Sequence, residues 1–205
     1  MTNSILWQTK IHARLHDPAE KALILMRTAH GHEGGTSRAL QGELFPQGIP
    51  DSVKAAVKRA DHWASAADRA AFPNHDSDGR YPAWQRVEFH KQPVIVHPLT
   101  GGQIDLASLT SVEPAQIEAL SVSHFRKLIH GQDLRKTALA FWRFGPEIEA
   151  PEIKNLWSLL PADTRVPDHS IWDHLDLTAA FASSFALDVK DGPALLAVSL
   201  GPVQD

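Results

Sequence analysis

The chain contains no cysteine. That excludes disulfides, iron–sulfur clusters and cysteine-ligated zinc, and it suits a reducing cytosol. It also lacks any apolar run long enough to span a bilayer. The run Ala22–Met26 is too short for the core of a secretory signal. A cytoplasmic protein with no membrane partner is therefore expected. Excess positive charge is missing too: 20 Lys and Arg face 24 Asp and Glu, for a net charge of −4 and a pI near 6.3. A basic protein that coats nucleic acid without sequence preference is excluded. Any nucleic-acid contact has to be local, through a metal or a small basic patch. No internal repeat and no low-complexity tract occurs.

What is present is a chain of 205 residues, 43% of them hydrophobic, enough to bury the core of one domain. Histidine is abundant, at 12 residues, and several fall in short clusters. The stretch Lys10–Leu23 stands out because it holds the pair His16-Asp17, with His12 four residues earlier and so on the same helical face. Imidazole nitrogen and carboxylate oxygen together suit a divalent transition metal.

The pattern reads as mainly α. Residues 5–16 predict a helix that Pro18 ends, because the residue before a proline avoids helical geometry. A second helix is expected at once, with Asp17 as N-cap, Pro18 in the first turn and Glu20 in a capping-box position, running on through Ala29. A third is predicted from Pro50-Asp51 to about Ala71, with Val53, Ala56, Val57, Ala60, Ala64 and Ala67 as its apolar stripe. Polar, turn-rich sequence fills 73–82. Arg86–His90, Val94–His97 and Gln103–Leu106 read as a small β-hairpin or meander inserted in the helical domain. Helices follow over 113–131, 132–144 and 149–160, then a loop between Pro161 and Pro167, then a helix over Ser170–Leu187 with Ile171, Leu175, Thr178, Ala182 and Phe185 on one face. Residues 194–200 read as a buried strand.

Each candidate ligand also has a plain structural reading. Asp17 serves as a cap, a ligand or both, since a carboxylate has two oxygens. Asp61 borders the apolar stripe of its helix, where a bare carboxylate is expensive, so it needs a metal or an ion pair with Lys58 or an arginine. Asp68 reads as a structural partner of an arginine. His174 leans toward the apolar face of the last long helix, as a ligand or as a buried histidine bonded to a carbonyl. His169 stands at the entrance of that helix. His30 and His32, two apart in a glycine-rich loop, suit either a second metal or solvent. His75-Asp76 repeats the dipeptide in a loop, a poor platform for ligands.

With these residues in place, the chain resembles an HD-superfamily domain, an all-helical metal-dependent phosphohydrolase fold. In that family a first His is followed by a His-Asp pair and then by a late Asp in an Ala-Asp context. Here His16-Asp17 comes first, Ala60-Asp61 next, and the His174 helix last, which is a circular permutation. The permuted order, with Leu15–Leu23, Ala60–Arg69, Leu159–Leu175 and Leu196–Gln204, is similar to the N-terminal part of the large signature subunit of type III CRISPR-Cas effector complexes, in the III-B (Cmr) branch. The resemblance implies a permuted HD domain over residues 1–190, with 191–205 forming a linker and the first strand of a palm (nucleotide-cyclase-like) domain. The Gly-Gly-Asp-Asp signature of that family's palm is absent from this chain.

The resemblance further implies metal-dependent cleavage of single-stranded DNA. His16 and Asp17 are the expected catalytic pair. His16, Asp17, Asp61 and His174 are expected to hold one divalent ion (Mn, Ni, Co, Fe or Zn), and His32 or His169, or else His30, to complete a site for a second. His12 is expected behind the ligands. DNA affinity is expected to gain from Arg14, Lys58 or Arg165. The expected partners are the other subunits of the effector complex, with crRNA and target RNA contacted indirectly. A catalytically weak scaffold within the same complex and a small-nucleotide phosphohydrolase are the alternatives.

Overall fold

The computed structural model describes residues 2–25, 27–28, 34–66, 89–97, 99–105, 112–164, 167–188, 190, 192–194 and 196–197. Among these the protein is mainly helical, with one small hairpin. Its elements are α1 (Thr2–Leu15), α2 (Lys21–Ile24), α3 (Thr36–Leu44), α4 (Asp51–Ala66), β1 (Val94–Val96), β2 (Gln103–Asp105), α5 (Pro114–Lys127), α6 (Leu134–Phe144), α7 (Lys154–Trp157) and α8 (Ile171–Leu187).

Helix α8 is the axis of the molecule, and both α1 and α4 pack along it. Its start is fixed by a capping box: Ser170 Oγ accepts from the Asp173 amide, and the Asp173 carboxylate accepts from the Ser170 amide. Small residues line its contact with α1 and α4. Ala13, Ala56, Val57, Ala60, Ala179, Ala182 and Phe185 form one buried cluster. A larger core lies at the other end, built on Ile11, Leu15, Leu23, Ile24, Leu40, Ile117, Phe125, Phe141, Trp157, Leu160, Ile171 and Leu175. The aromatic centre of that core is anchored as well as packed. Trp157 Nε1 donates to the Gly145 carbonyl at 2.8 Å and Trp172 Nε1 to the Trp157 carbonyl at 2.9 Å. A β-carbon at Gly145 would lie 2.4 Å from the Phe141 carbonyl, so only glycine suits that helix end.

The break between α5 and α6 falls where Gly131 was expected to make it, at φ +54°. Asp133 then caps α6 by accepting from the Lys136 amide at 3.0 Å. The hairpin pairs Val94 with Asp105, Ile95 with Ile104 and Val96 with Gln103. It is tied to the loop before α8 by the Val96 amide, which donates to the Pro167 carbonyl at 2.9 Å. That loop closes on itself through Ala162 N to His169 O and Ile171 N to Leu160 O.

Several expectations need correction. Asp17 does not cap α2: that helix is a single turn from Lys21, with Glu20 before it and no side-chain cap. Instead Glu20 is fully buried and accepts from Ser121 Oγ at 2.7 Å. The helix expected over 149–160 shrinks to Lys154–Trp157. Phe89–Lys91 forms a 3-10 turn instead of a strand. Helix α3 was not anticipated. It has no side-chain cap, and it is held by the fully buried Leu40 and by Gln41, which donates to the Leu15 carbonyl. Of the strand expected over 194–200, Ala194, Leu196 and Ala197 are exposed and outside any strand, and the other residues lie outside the described ones. Residues 67–71, His75-Asp76 and 86–88 lie outside the described residues.

Burial pushes the Glu20 carboxyl up to about 7, against the lowering pull of the Thr36 and Ser121 hydroxyls. A carboxyl raised in this way stays protonated in the folded chain after the unfolded chain has lost its proton. Its stabilising share is thus complete below about pH 4.5 and is lost as pH rises through about 7. Glu20→Gln is expected to remove this dependence, gaining on the order of 3 kcal/mol over the parent between pH 4.5 and pH 8 in urea unfolding. A variant that tracks the parent at both pH values would refute the assignment.

Candidate metal centre

Helix α1 ends at Leu15, one residue short of the His-Asp pair, as Pro18 requires. The chain turns there, and the His16 ring folds back over the last turn, where Nδ1 bonds the Ala13 carbonyl. That bond places the ring proton on Nδ1 and leaves the Nε2 lone pair facing inward. Helix α8 supplies His174 from its first turns, 5% exposed, with Nε2 pointing the same way. Helix α4 supplies Asp61 from the edge of its alanine stripe.

The three side chains converge. Asp61 Oδ1 lies 3.5 Å from His16 Nε2 and 3.3 Å from His174 Nε2, and the three ligand atoms lie within 4.8 Å of one another. Bonds of about 2.0–2.1 Å to a tetrahedral ion put neighbouring ligand atoms roughly 3.3 Å apart, close to these spacings. Asp17 is next to the group: its Oδ2 is 3.9 Å from both Nε2 atoms. Neither Nε2 has a hydrogen-bond partner, although both are buried. Two buried imidazole nitrogens aimed at a carboxylate, with no other use, are the donor set a divalent transition metal takes. Ser65 Oγ donates to Asp61 Oδ1 at 3.1 Å and so orients the carboxylate from behind.

The electrostatics agree with this arrangement. Burial alone would raise the Asp61 carboxyl, but the His16 and His174 rings beside it hold it well below the usual carboxylate range. Burial disfavours the charged His16 ring, yet Asp61, Asp17 and the Ala13 carbonyl together raise it. His12 lies one turn back on α1. Burial, with His16 and Lys54 nearby, pushes it down to about 4, so it is neutral at pH 7 and stands outside the three-residue group.

The other expected residues are placed differently. Asp17 is held by Lys21 Nζ at 2.7 Å, an ammonium that the sequence reading did not foresee. Its spacing of four residues was the available signal. His169 sits in the loop before α8 with Nδ1 2.7 Å from Asp168 Oδ1, outside the cluster. His30, His32 and Arg165 lie outside the described residues. Lys58 is exposed on α4. Arg14 is not an exposed cation: it is 8% exposed and paired with Asp176. Arg14 and Asp176 each stand two residues from His16 and His174, about half a turn around their helices, so this pair joins α1 to α8 on the side away from the ligands.

No family model matches the chain, and no solved structure matches it significantly. Among curated proteins, the CRISPR system Cmr subunit Cmr2 of Pyrococcus furiosus is 52% identical over 247 aligned positions, covering 95% of this chain. The Cmr2 subunit of Saccharolobus solfataricus is 26% identical over 211 positions, covering 96%. The chain fits a fragment of Cmr2. It spans 26% and 19% of the lengths of these two Cmr2 relatives. Among the described residues, no helix is long and apolar enough to cross a membrane.

Manganese or nickel is expected to stabilise the chain by about 3 kcal/mol at a hundredfold excess over Kd, roughly 6–10 °C in Tm. Asp61→Asn is expected to lose most of that shift in differential scanning fluorimetry. Because the His16 ring must be neutral to ligate and its pKa is raised, the shift is expected to shrink as pH falls from about 8 to about 6.

Proposed function

We propose that this chain is a circularly permuted HD domain that cleaves phosphodiester bonds of single-stranded DNA within a type III CRISPR-Cas interference complex. The observation that carries the reading is the convergence of His16 from the turn after α1, Asp61 from α4 and His174 from α8, with two buried Nε2 atoms that have no other partner. His16, His174 and Asp61 would hold the ion, with Asp17 as the adjacent fourth oxygen. A divalent transition metal bound there supplies Lewis acidity toward a phosphodiester and lowers the pKa of water toward neutrality. The chain's own share is positional. The Ala13 carbonyl fixes the His16 tautomer, Ser65 orients Asp61, and Asp17 stands beside the group as a carboxylate able to accept a proton. In this reading residues 1–190 form the HD domain and 191–205 lead into a palm. The partners are the other subunits of the cytoplasmic effector complex, with crRNA and target RNA reached through them. His32 or His169 would serve a second ion.

Labelled single-stranded DNA, incubated with manganese, nickel or cobalt, tests the proposal. The double variant His16→Ala, Asp17→Ala is expected to lose about 3 kcal/mol of transition-state stabilisation or more, roughly a hundredfold in rate. Equal rates in variant and parent would remove the site. Preference for mononucleotides over the oligonucleotide would shift the substrate to small nucleotides.

One observation favours a second reading, a catalytically weak scaffold in the same complex: the Lys21 ammonium already neutralises Asp17. Lys21→Gln separates the two. If the centre takes up metal, freeing Asp17 is expected to tighten binding about tenfold by calorimetry, the scale of one charge-assisted contact. A folded variant that takes up no metal supports the scaffold.

A further inference from the structure

On the side of α1 and α8 away from the metal centre lies a cavity of about 290 Å³, closed by α6. Its walls include Trp7, Lys10, Arg14, Leu139, Trp142 and Asp176. Three features set it apart from an ordinary surface dimple. Two indoles line it, and Trp142 is held in place because its Nε1 donates to Asp176 Oδ2 at 3.3 Å. The other Asp176 oxygen is engaged by Arg14, so the carboxylate is fixed while remaining 48% exposed. Lys10 is half-buried and makes no hydrogen bond or ion pair with any described residue. Burial and the nearby Arg14 lower its pKa, and the Asp176 carboxylate, already shared between Arg14 and Trp142, offsets this only in part. A partly desolvated ammonium without a direct partner calls for an anion.

The charged groups of the wall are two cations and one acid, on a chain whose net charge is −4. A third cation, Arg135, stands 5.8 Å from the Trp7 ring centre. We propose that this cavity binds a single nucleotide, with the base against the Trp7 and Trp142 indoles, an exocyclic amine of the base on Asp176 and the phosphate on Lys10. Each part of such a ligand meets a wall group suited to it. Bases stack on indole faces, a fixed carboxylate accepts from base N–H groups, and a lysine ammonium binds phosphate as a point charge. A purely apolar occupant leaves Lys10 desolvated and unpaired, and a bare anion leaves both indoles unused. The volume lies at the lower end for small-molecule sites, which suits one nucleotide and not a strand.

The indole N–H signals of the 15N-labelled chain provide the test, with EDTA present so that the metal centre does not contribute. AMP, adenosine and inorganic phosphate are titrated separately. AMP is expected to shift the Trp7 and Trp142 signals saturably, with half-saturation at about 1 mM or below. The Trp157 and Trp172 signals should stay in place, because their N–H groups are buried on backbone carbonyls. Adenosine should bind more weakly, and phosphate more weakly still. Lys10→Ala is expected to weaken AMP about tenfold, to the level of adenosine, and Lys10→Met, which keeps the apolar stem, should do the same in a fold that is not in question. Three results would overturn the proposal: no shift at about 10 mM AMP, shifts indifferent to both Lys10 variants, which would mark an apolar occupant, or AMP binding that Asp61→Asn abolishes, which would locate it at the metal centre.

Discussion

Close approach of α1, α4 and α8 is the constraint from which the rest of the structure follows. An aspartate side chain is short, and Asp61 reaches the imidazoles of His16, just past α1, and of His174, on α8, only because alanines separate the three backbones. Larger residues at Ala13, Ala60 or Ala179 would widen the interhelical distance and part the ligands before disturbing the larger core around Trp157. The Arg14–Asp176 pair adds a second restraint, because it bridges α1 to α8 on the side opposite His16 and His174. Sliding one helix along the other has to break that pair, and a mostly buried guanidinium left without its partner is costly. The register that brings the histidines face to face is therefore guarded from the back.

Much of this architecture was legible from residue pattern alone. The alanine stripe of α4, the inward lean of His174, the glycine break at Gly131 and the short hairpin all follow from local rules that tertiary contacts leave intact. Those rules fail where burial overrides them. Asp17 and Glu20 have the spacing of a capped helix start, but the core takes Glu20 inside, and Asp17 turns to Lys21. Helix α3 is short, with a glycine within it and no side-chain cap, and it is held because Leu40 has a place in the core and Gln41 a carbonyl to bond. No single-sequence rule reports contacts made across so many residues.

The candidate centre divides in the same way. The Asp61 signal was a carboxylate at the border of an apolar stripe, a local feature with a definite energetic meaning. That Asp61 meets His16 and not Lys58 is a fact of helix packing and could not be read from spacing. Similarity to Cmr2 runs along nearly the whole chain, while the candidate centre rests on the convergence of three side chains.

The Lys21–Asp17 contact has a further consequence. In small zinc domains, metal loading and folding are one event, because the ligands have nothing else to hold them together. Here the acid of the His-Asp pair has a resident counter-ion, and neither hydrophobic cluster includes a ligand residue. Assembly of the helices therefore does not wait on an ion, and uptake of one at the candidate centre would be a separate equilibrium, set by the local supply of metal and not by folding.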